Sequence, residues 1–264
     1  GGRSGIGAAV GRRLAARGVR CVINYASSKD AAEALAVEVA NGSIALRADI
    51  ADDAQCRTLA KAATDAFGRL DLLVNNSGKT KFANHEDMDA LSADDFIDIY
   101  RLNTVAPFQM IRACAPAMRE GPASAVVNIA SVAGVFGNGS SVAYAASKPA
   151  LGTMTKSLAR VLAPAIRVNA VAPGYVGTGW FSERMNAVAP GYVGTGWFSE
   201  RMTQEAFEAF EKFIAGQTPM GLAAHAEDIA GPVVNLLDPA SPVITGETLL
   251  LDAGAHLHGG LSRR

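Results

Sequence analysis

The chain is poor in cysteine, in aromatic residues and in surplus charge. Its 264 residues include three cysteines, Cys21, Cys56 and Cys114, too far apart for metal-ligand spacing and odd in number. That usage argues against a disulfide-stapled domain and for a reducing, cytoplasmic setting in which each thiol is a small core residue. Lys plus Arg total 24 and Asp plus Glu 25, a formal charge of −1. This balance gives no reason to expect nucleic acid or an anionic membrane surface as a partner. No apolar run is long enough to cross a membrane. The start has no secretory-signal pattern and no methionine, so a missing or processed start is expected. The histidines, His85, His225, His256 and His258, share no helical metal spacing and read as surface or loop residues.

Apolar residues are plentiful. At 49% hydrophobic, 264 residues can form one large domain with a buried core. Strand-like and helix-like runs alternate throughout. Val19–Asn24, Ile44–Ala48, Leu70–Asn75, Ala125–Ala130, Ile166–Val171 and Thr248–Leu251 read as strands. Ala8–Arg17, Ala31–Ala40, Asp53–Phe67, Phe96–Met118, Tyr144–Leu162, Thr203–Ile214 and Glu227–Leu237 read as helices. The expected fold is a single α/β domain over 1–264, a Rossmann-type doubly wound parallel sheet. Ligands of such sheets lie at the carboxyl ends of the strands.

Two features break the pattern. The glycine loop at the start should follow a strand, so the first strand is expected to be missing and its neighbours exposed as edges. Residues 169–185 (NAVAPGYVGTGWFSERM) recur identically as 186–202. One tandem copy is not a repeat fold and reads as a duplication or an assembly artefact. Ile166-Arg-Val168 leads only into the first copy, which is expected to form the strand, with the extra residues lengthening the following loop. Trp180, Phe181, Trp197 and Phe198 in the copies could line an apolar pocket or pack within a loop.

Ser131, Tyr144 and Lys148 carry the chemistry. Tyr144 and Lys148 stand four apart, on one face of a helix. Ser131 follows a strand thirteen residues before Tyr144. Together they can move a proton to or from an oxygen while hydride moves at its carbon. A free tyrosine titrates near 10, so work near neutrality needs a fall of about 3, or about 4 kcal/mol. An adjacent ammonium and an oxidised nicotinamide, both positive, favour the phenolate. Pro149 sits inside the same helix, where it either tilts the helix or is tolerated. Gly1-Gly-Arg3-Ser4-Gly5-Ile6-Gly7 can cradle a pyrophosphate at a helix N-terminus. Asp49, ending a strand, can accept from an adenine amine or serve as a cap. Asn75-Asn-Ser-Gly78 suits either a cofactor loop or a plain turn.

In order, these motifs resemble those of the short-chain dehydrogenase/reductase family over nearly the whole chain. Gly1, Gly5 and Gly7 resemble its glycine motif. Asp49 resembles the adenine-contacting aspartate, and Asn75, Asn76 and Gly78 resemble its Asn-Asn-Ala-Gly motif, with Ser77 replacing alanine. Asn103, Ser131, Tyr144 and Lys148 correspond to its catalytic tetrad, in which the asparagine holds a relay water. Pro173, Gly174 and Thr178 resemble the segment at the nicotinamide carboxamide, and 246–254 resembles the carboxyl-terminal strand signature. The resemblance implies cofactor contacts at Arg3, Ser4, Ile6, Tyr25, Ser27, Ile50 and Val176 as well. It also implies a homotetramer.

Asn24-Tyr-Ala-Ser-Ser-Lys29 lacks the acid that would bind a ribose 2′-OH and repel a 2′-phosphate. Its hydroxyls, Lys29 and Arg3 favour NADP(H) over NAD(H). The expected partner is a small carbonyl or acyl substrate, with a 3-oxoacyl-carrier-protein reductase as the specific expectation. Sugars and other secondary alcohols stay open. The rivals are a nucleotide-binding protein impaired in catalysis and a fragment that folds poorly. An extended-type epimerase is not expected, since it would carry a Gly-x-x-Gly-x-x-Gly loop.

Overall fold

A computed structural model describes residues 5–177 and 204–257. Among these residues, strands and helices alternate as β1 (Val22–Tyr25), β2 (Ile44–Arg47), β3 (Leu72–Asn75), β4 (Ser124–Ile129), β5 (Ile166–Pro173), β6 (Val176–Gly177), β7 (Ala224–His225) and β8 (Thr248–Leu251), with α1 (Gly5–Ala15) ahead of β1. Between them run α2 (Lys29–Val39), α3 (Asp53–Phe67), α4 (Ala93–Tyr100), α5 (Ala106–Arg119), α6 (Ala133–Phe136), α7 (Val142–Leu162), α8 (Gln204–Gly216) and α9 (Ala226–Leu237). The short pieces α6, β6 and β7 have too little periodicity to be read from sequence.

Local chemistry sets the helix ends. The Asp52 carboxylate caps α3 by accepting from the Ala54 and Gln55 amides, and Gly68 ends it in the left-handed region at φ +76°. Ser92 and Asp95 form a reciprocal capping box on α4. The expected single helix over 96–118 is divided: residues 101–105 form a π-helical turn between α4 and α5. Pro107 has no N–H to continue the ordinary ladder, and the Ala106 amide reaches back to the Arg101 carbonyl instead.

All strand pairs are parallel, as the alternation predicts. β3, β4, β5 and β8 form one sheet in that order, while β1 pairs with β2 and β6 with β7. In β4 every residue is buried, and β5 is nearly as deep. Helices cover both faces. Val10 and Leu14 of α1 share an apolar cluster with Val233 and Val234 of α9. On the other face, Cys56 and Leu59 of α3 pack with Met110, Ile111 and Cys114 of α5.

Among the described residues, β1 and β3 do not pair with each other. A cleft of about 590 Å³ lies between them, walled by Val22 and Ile23 on one side, Leu72, Leu73 and Val74 on the other, and by Val10, Ala60 and Ala63 from the helices. Three of the four residues of each flanking strand are only partly buried. The first copy of the repeat supplies Asn169–Pro173 to β5, as its preceding residues predict. The second copy lies outside the described residues. No described helix is long and apolar enough to cross a membrane.

Candidate active site

The site lies at the carboxyl ends of β3, β4 and β5. Ser131 follows β4 by two residues, and α7 brings Tyr144 and Lys148 across that end. Ser141 starts α7 by accepting from the Tyr144 amide at 3.3 Å, which fixes the first turn. The Lys148 Nζ donates to the Ile129 carbonyl at 3.0 Å. It lies 5.4 Å from the centre of the Tyr144 ring. The Ser131 hydroxyl lies near enough to the Tyr144 phenol to act on its ionisation, and it accepts from the Ala133 amide at 3.1 Å. The structure thus brings Ser131, Tyr144 and Lys148 together.

Burial governs their ionisation. Lys148 is driven down from 10.5 to about 8, because charge is costly to desolvate. Burial raises the Tyr144 phenol, and the Ser131 hydroxyl opposes that rise. Below pH 8 Lys148 is still mainly an ammonium, so a positive charge faces the phenol at neutrality. Its full charge, rather than contact alone, is what would favour phenolate.

Asn103 sits within the π-helical turn and is fully buried. Its amide donates to the Lys79 carbonyl and to Ser147 Oγ, both at 3.0 Å, and its carbonyl accepts from the Lys79 amide at 2.8 Å. Ser147 passes the connection on by donating to the Tyr144 carbonyl at 2.8 Å. The sequence reading missed Ser147 because a helical serine carries no motif. Gly78 lets the chain pass this cluster closely: a Cβ there would lie 3.3 Å from Asn103 Oδ1 and 3.7 Å from Lys148 Nζ.

The other candidates distribute along the same strand ends. Gly5, Ile6 and Gly7 form the first turn of α1; Gly1, Arg3, Ser4 and Thr178 lie outside the described residues. Asn75 closes β3, but its side-chain amide turns inward and donates to the Asn128 side-chain oxygen at 2.9 Å. Pro173 ends β5; its carbonyl accepts from the Val132 amide at 3.0 Å, and Gly174 donates to the Leu251 carbonyl at 2.9 Å. Val176 is buried in β6. Ile50 is buried and Asp49 exposed, with one Asp49 oxygen accepting from the Ala51 amide at 3.0 Å. Tyr25 and exposed Ser27 sit at the end of β1. Arg47, which the sequence reading also missed, stands opposite Tyr25 and donates to the Ala26 carbonyl at 3.2 Å. Its signal was a basic residue ending a strand two places before Asp49.

This donor set fits a nicotinamide dinucleotide. Lys148 has three N–H donors and gives one to Ile129, so a buried ammonium remains able to bind ribose hydroxyls. Backbone passes side-chain-free at Gly78, and at Gly174 a Cβ would crowd Asp252 at 2.9 Å. Among the described residues no group of His, Cys, Asp and Glu could hold a metal.

Comparison with known proteins supports the same assignment. The family model described as short chain dehydrogenase matches residues 1–187, and one described as Enoyl-(Acyl carrier protein) reductase matches 181–256. A Streptomyces violaceoruber protein named as granaticin polyketide synthase ketoacyl reductase 2 is 34% identical over 257 residues, covering 97% of this chain and 94% of its own. The 3-oxoacyl-[acyl-carrier-protein] reductase of a Synechocystis species is 34% identical over 255 residues, covering 95% of this chain and 92% of its own. A solved Burkholderia xenovorans structure named as a short-chain dehydrogenase/reductase superposes with a TM-score of 0.81 at 32% identity, over 97% of this chain and 95% of that one.

Proposed function

Because the chain belongs to the short-chain dehydrogenase/reductase family of nicotinamide-dependent oxidoreductases, we propose that it moves hydride between NADP(H) and a ketone or secondary alcohol. The observation that carries this reading is the meeting of Ser131, Tyr144 and Lys148 at the end of β4. The bound nicotinamide supplies or accepts the hydride. Ser131 donates a hydrogen bond to the substrate oxygen. Tyr144 gives that oxygen its proton in reduction and takes it back in oxidation. Lys148 favours the phenolate and binds the nicotinamide ribose. Asn103, through Ser147, steadies the turn that carries Tyr144. The expectation of a lowered tyrosine pKa therefore depends on cations that offset the burial.

A 3-oxoacyl thioester is the proposed substrate class, supported by the ketoacyl reductases among the relatives. Arg47, Ser27 and Lys29 around the end of β1 support NADP(H), since they can meet a 2′-phosphate with charge and hydroxyls. A homotetramer is proposed on the family likeness. The test is NADPH oxidation with acetoacetyl thioester, beside a sugar ketone and a simple ketone, repeated with NADH. Fastest turnover of the thioester with NADPH supports the full reading. Preference for another ketone, or for NADH, removes that part of it.

The cleft between β1 and β3 favours a second reading, a nucleotide-binding protein impaired in catalysis. The adenosine end, at β1 and β2, is the part that would need a further strand between β1 and β3 to join the catalytic sheet. NADPH binding without turnover of any ketone would support it.

A further inference from the structure

Three polar side chains that the proton transfer leaves unused lie in the core. Asn75, Asn128 and Thr155 are each at most 5% exposed. They bond in one direction: Asn75 Nδ2 to Asn128 Oδ1 at 2.9 Å, Asn128 Nδ2 to Thr155 Oγ1 at 2.9 Å, and Thr155 Oγ1 to the Leu151 carbonyl at 2.9 Å. Buried polar groups cost stability unless satisfied, and apolar residues of like volume often serve a core as well. What the chain does offer is geometry. It links the end of β3, which leads into the loop at Gly78, to the middle of the sheet and then to α7.

Thr155 lies seven residues beyond Lys148, two helical turns along the same face. Both reach β4, at adjacent residues: Lys148 meets the Ile129 carbonyl, and Thr155 meets the Asn128 amide. Pro149 stands between them and cannot donate to the Ala145 carbonyl. The ladder of α7 is thus interrupted just where the turn bearing Tyr144 joins the rest. Gly134 holds this proline closely, since a Cβ on it would lie 2.8 Å from Pro149 Cδ. With the ladder broken there, the helix is held from outside: by β4 at Lys148 and Thr155, and at Ser147 by Asn103 and by the Thr104 hydroxyl, which donates to the Ser147 carbonyl at 3.0 Å.

We propose that Asn128 and Thr155 are positioning residues, whose link between β4 and α7, extended to Asn75, sets how Lys148 is seated beside Tyr144. This rests on Tyr144 and Lys148 being the proton-transfer pair. Thr155→Val keeps the volume and removes the hydroxyl. Tyr144 ionisation is read by ultraviolet difference absorbance between each protein and its Tyr144→Phe counterpart, which needs no turnover. Thr155→Val is expected to raise the apparent Tyr144 pKa by about half a unit or more, and to lower kcat about tenfold with KM little changed. Thr155→Ser should restore both. An unmoved titration accompanied only by a lower thermal midpoint overturns the proposal. Should Thr155→Val fail to fold, Asn128→Thr, suited to a strand and too short to reach α7, carries the same readings. A parent chain that turns over no ketone fails the functional reading alone, and the titration still decides this one.

Discussion

The two halves of the parallel architecture use similar residues and reach different ends. Ala125-Val-Val-Asn-Ile129 in β4 is buried throughout, whereas Leu72-Leu-Val-Asn75 and Val22-Ile-Asn-Tyr25 are each mostly half-buried. The difference is neighbours. β4 has β3 and β5 beside it, while β1 and β3 each have a partner on one side and the cleft on the other. Burial is a property of the pairing, and an apolar run only makes it possible. The candidate catalytic residues Ser131, Tyr144 and Lys148 gather at the end of β4, which is paired on both sides, and the candidate adenosine contacts Tyr25, Ser27 and Asp49 stand beyond the cleft.

Removing the proposed acid at the end of β4 has the largest expected effect: Tyr144→Phe should lower kcat by about 10³ or more while NADPH still binds, read by steady-state kinetics and fluorescence titration. Retained turnover would remove Tyr144 from its role. Joining roughly five β-branched apolar residues ahead of Gly1 should fill the cleft and raise the thermal midpoint by roughly 10 °C. The same segment with alternating Lys and Glu should not. Equal responses would mean that the cleft does not seat a strand.

A smaller contrast is expected within the core. Ile166→Ala in β5, at a position 1% exposed, should cost about 3 kcal/mol in urea unfolding, and Leu73→Ala beside the cleft about half that or less. Equal costs would remove the distinction between a strand paired on both sides and one that faces the cleft.

The pH dependence sharpens it further. Lys148 titrates near 8 when folded against 10.5 ordinarily, so between those values the unfolded chain holds more protons. Stability contributed at this site therefore rises with pH across that window, by on the order of 3 kcal/mol. The raised Tyr144 pKa acts in the opposite sense above pH 10. Lys148→Met should flatten the rise in urea midpoints; an undiminished rise would place its source elsewhere.

Much of this was legible from spacing. Tyr144 and Lys148 share a helix face because four residues make about one turn, and Ser131 is placed by the strand before it. The alternation of elements dictated the parallel pairing. Less legible was the helix expected over 96–118, because a proline at 107 signals an interruption without specifying the π-helical turn that buries Asn103. Ser147 escaped notice because a helical serine carries no motif, and Arg47 because its one mark, a basic residue ending a strand shortly before Asp49, gains meaning only once β2 is paired with Tyr25 of β1. Asn75 was identified by its motif, yet its inward turn to Asn128 depends on a strand fifty-three residues away.

The alternating elements, the helix caps and the shared helix face of Tyr144 and Lys148 follow from the sequence alone, through local sterics, periodicity and residue chemistry. The tertiary structure decided which strands meet, which side chains lose water and what lies opposite each donor. Burial brings Lys148 to about 8 and raises Tyr144, and the Asn75, Asn128 and Thr155 chain exists only once β3, β4 and α7 are packed. Desolvation and long-range hydrogen bonding depend on residues far apart in the chain, so no local stretch contains them.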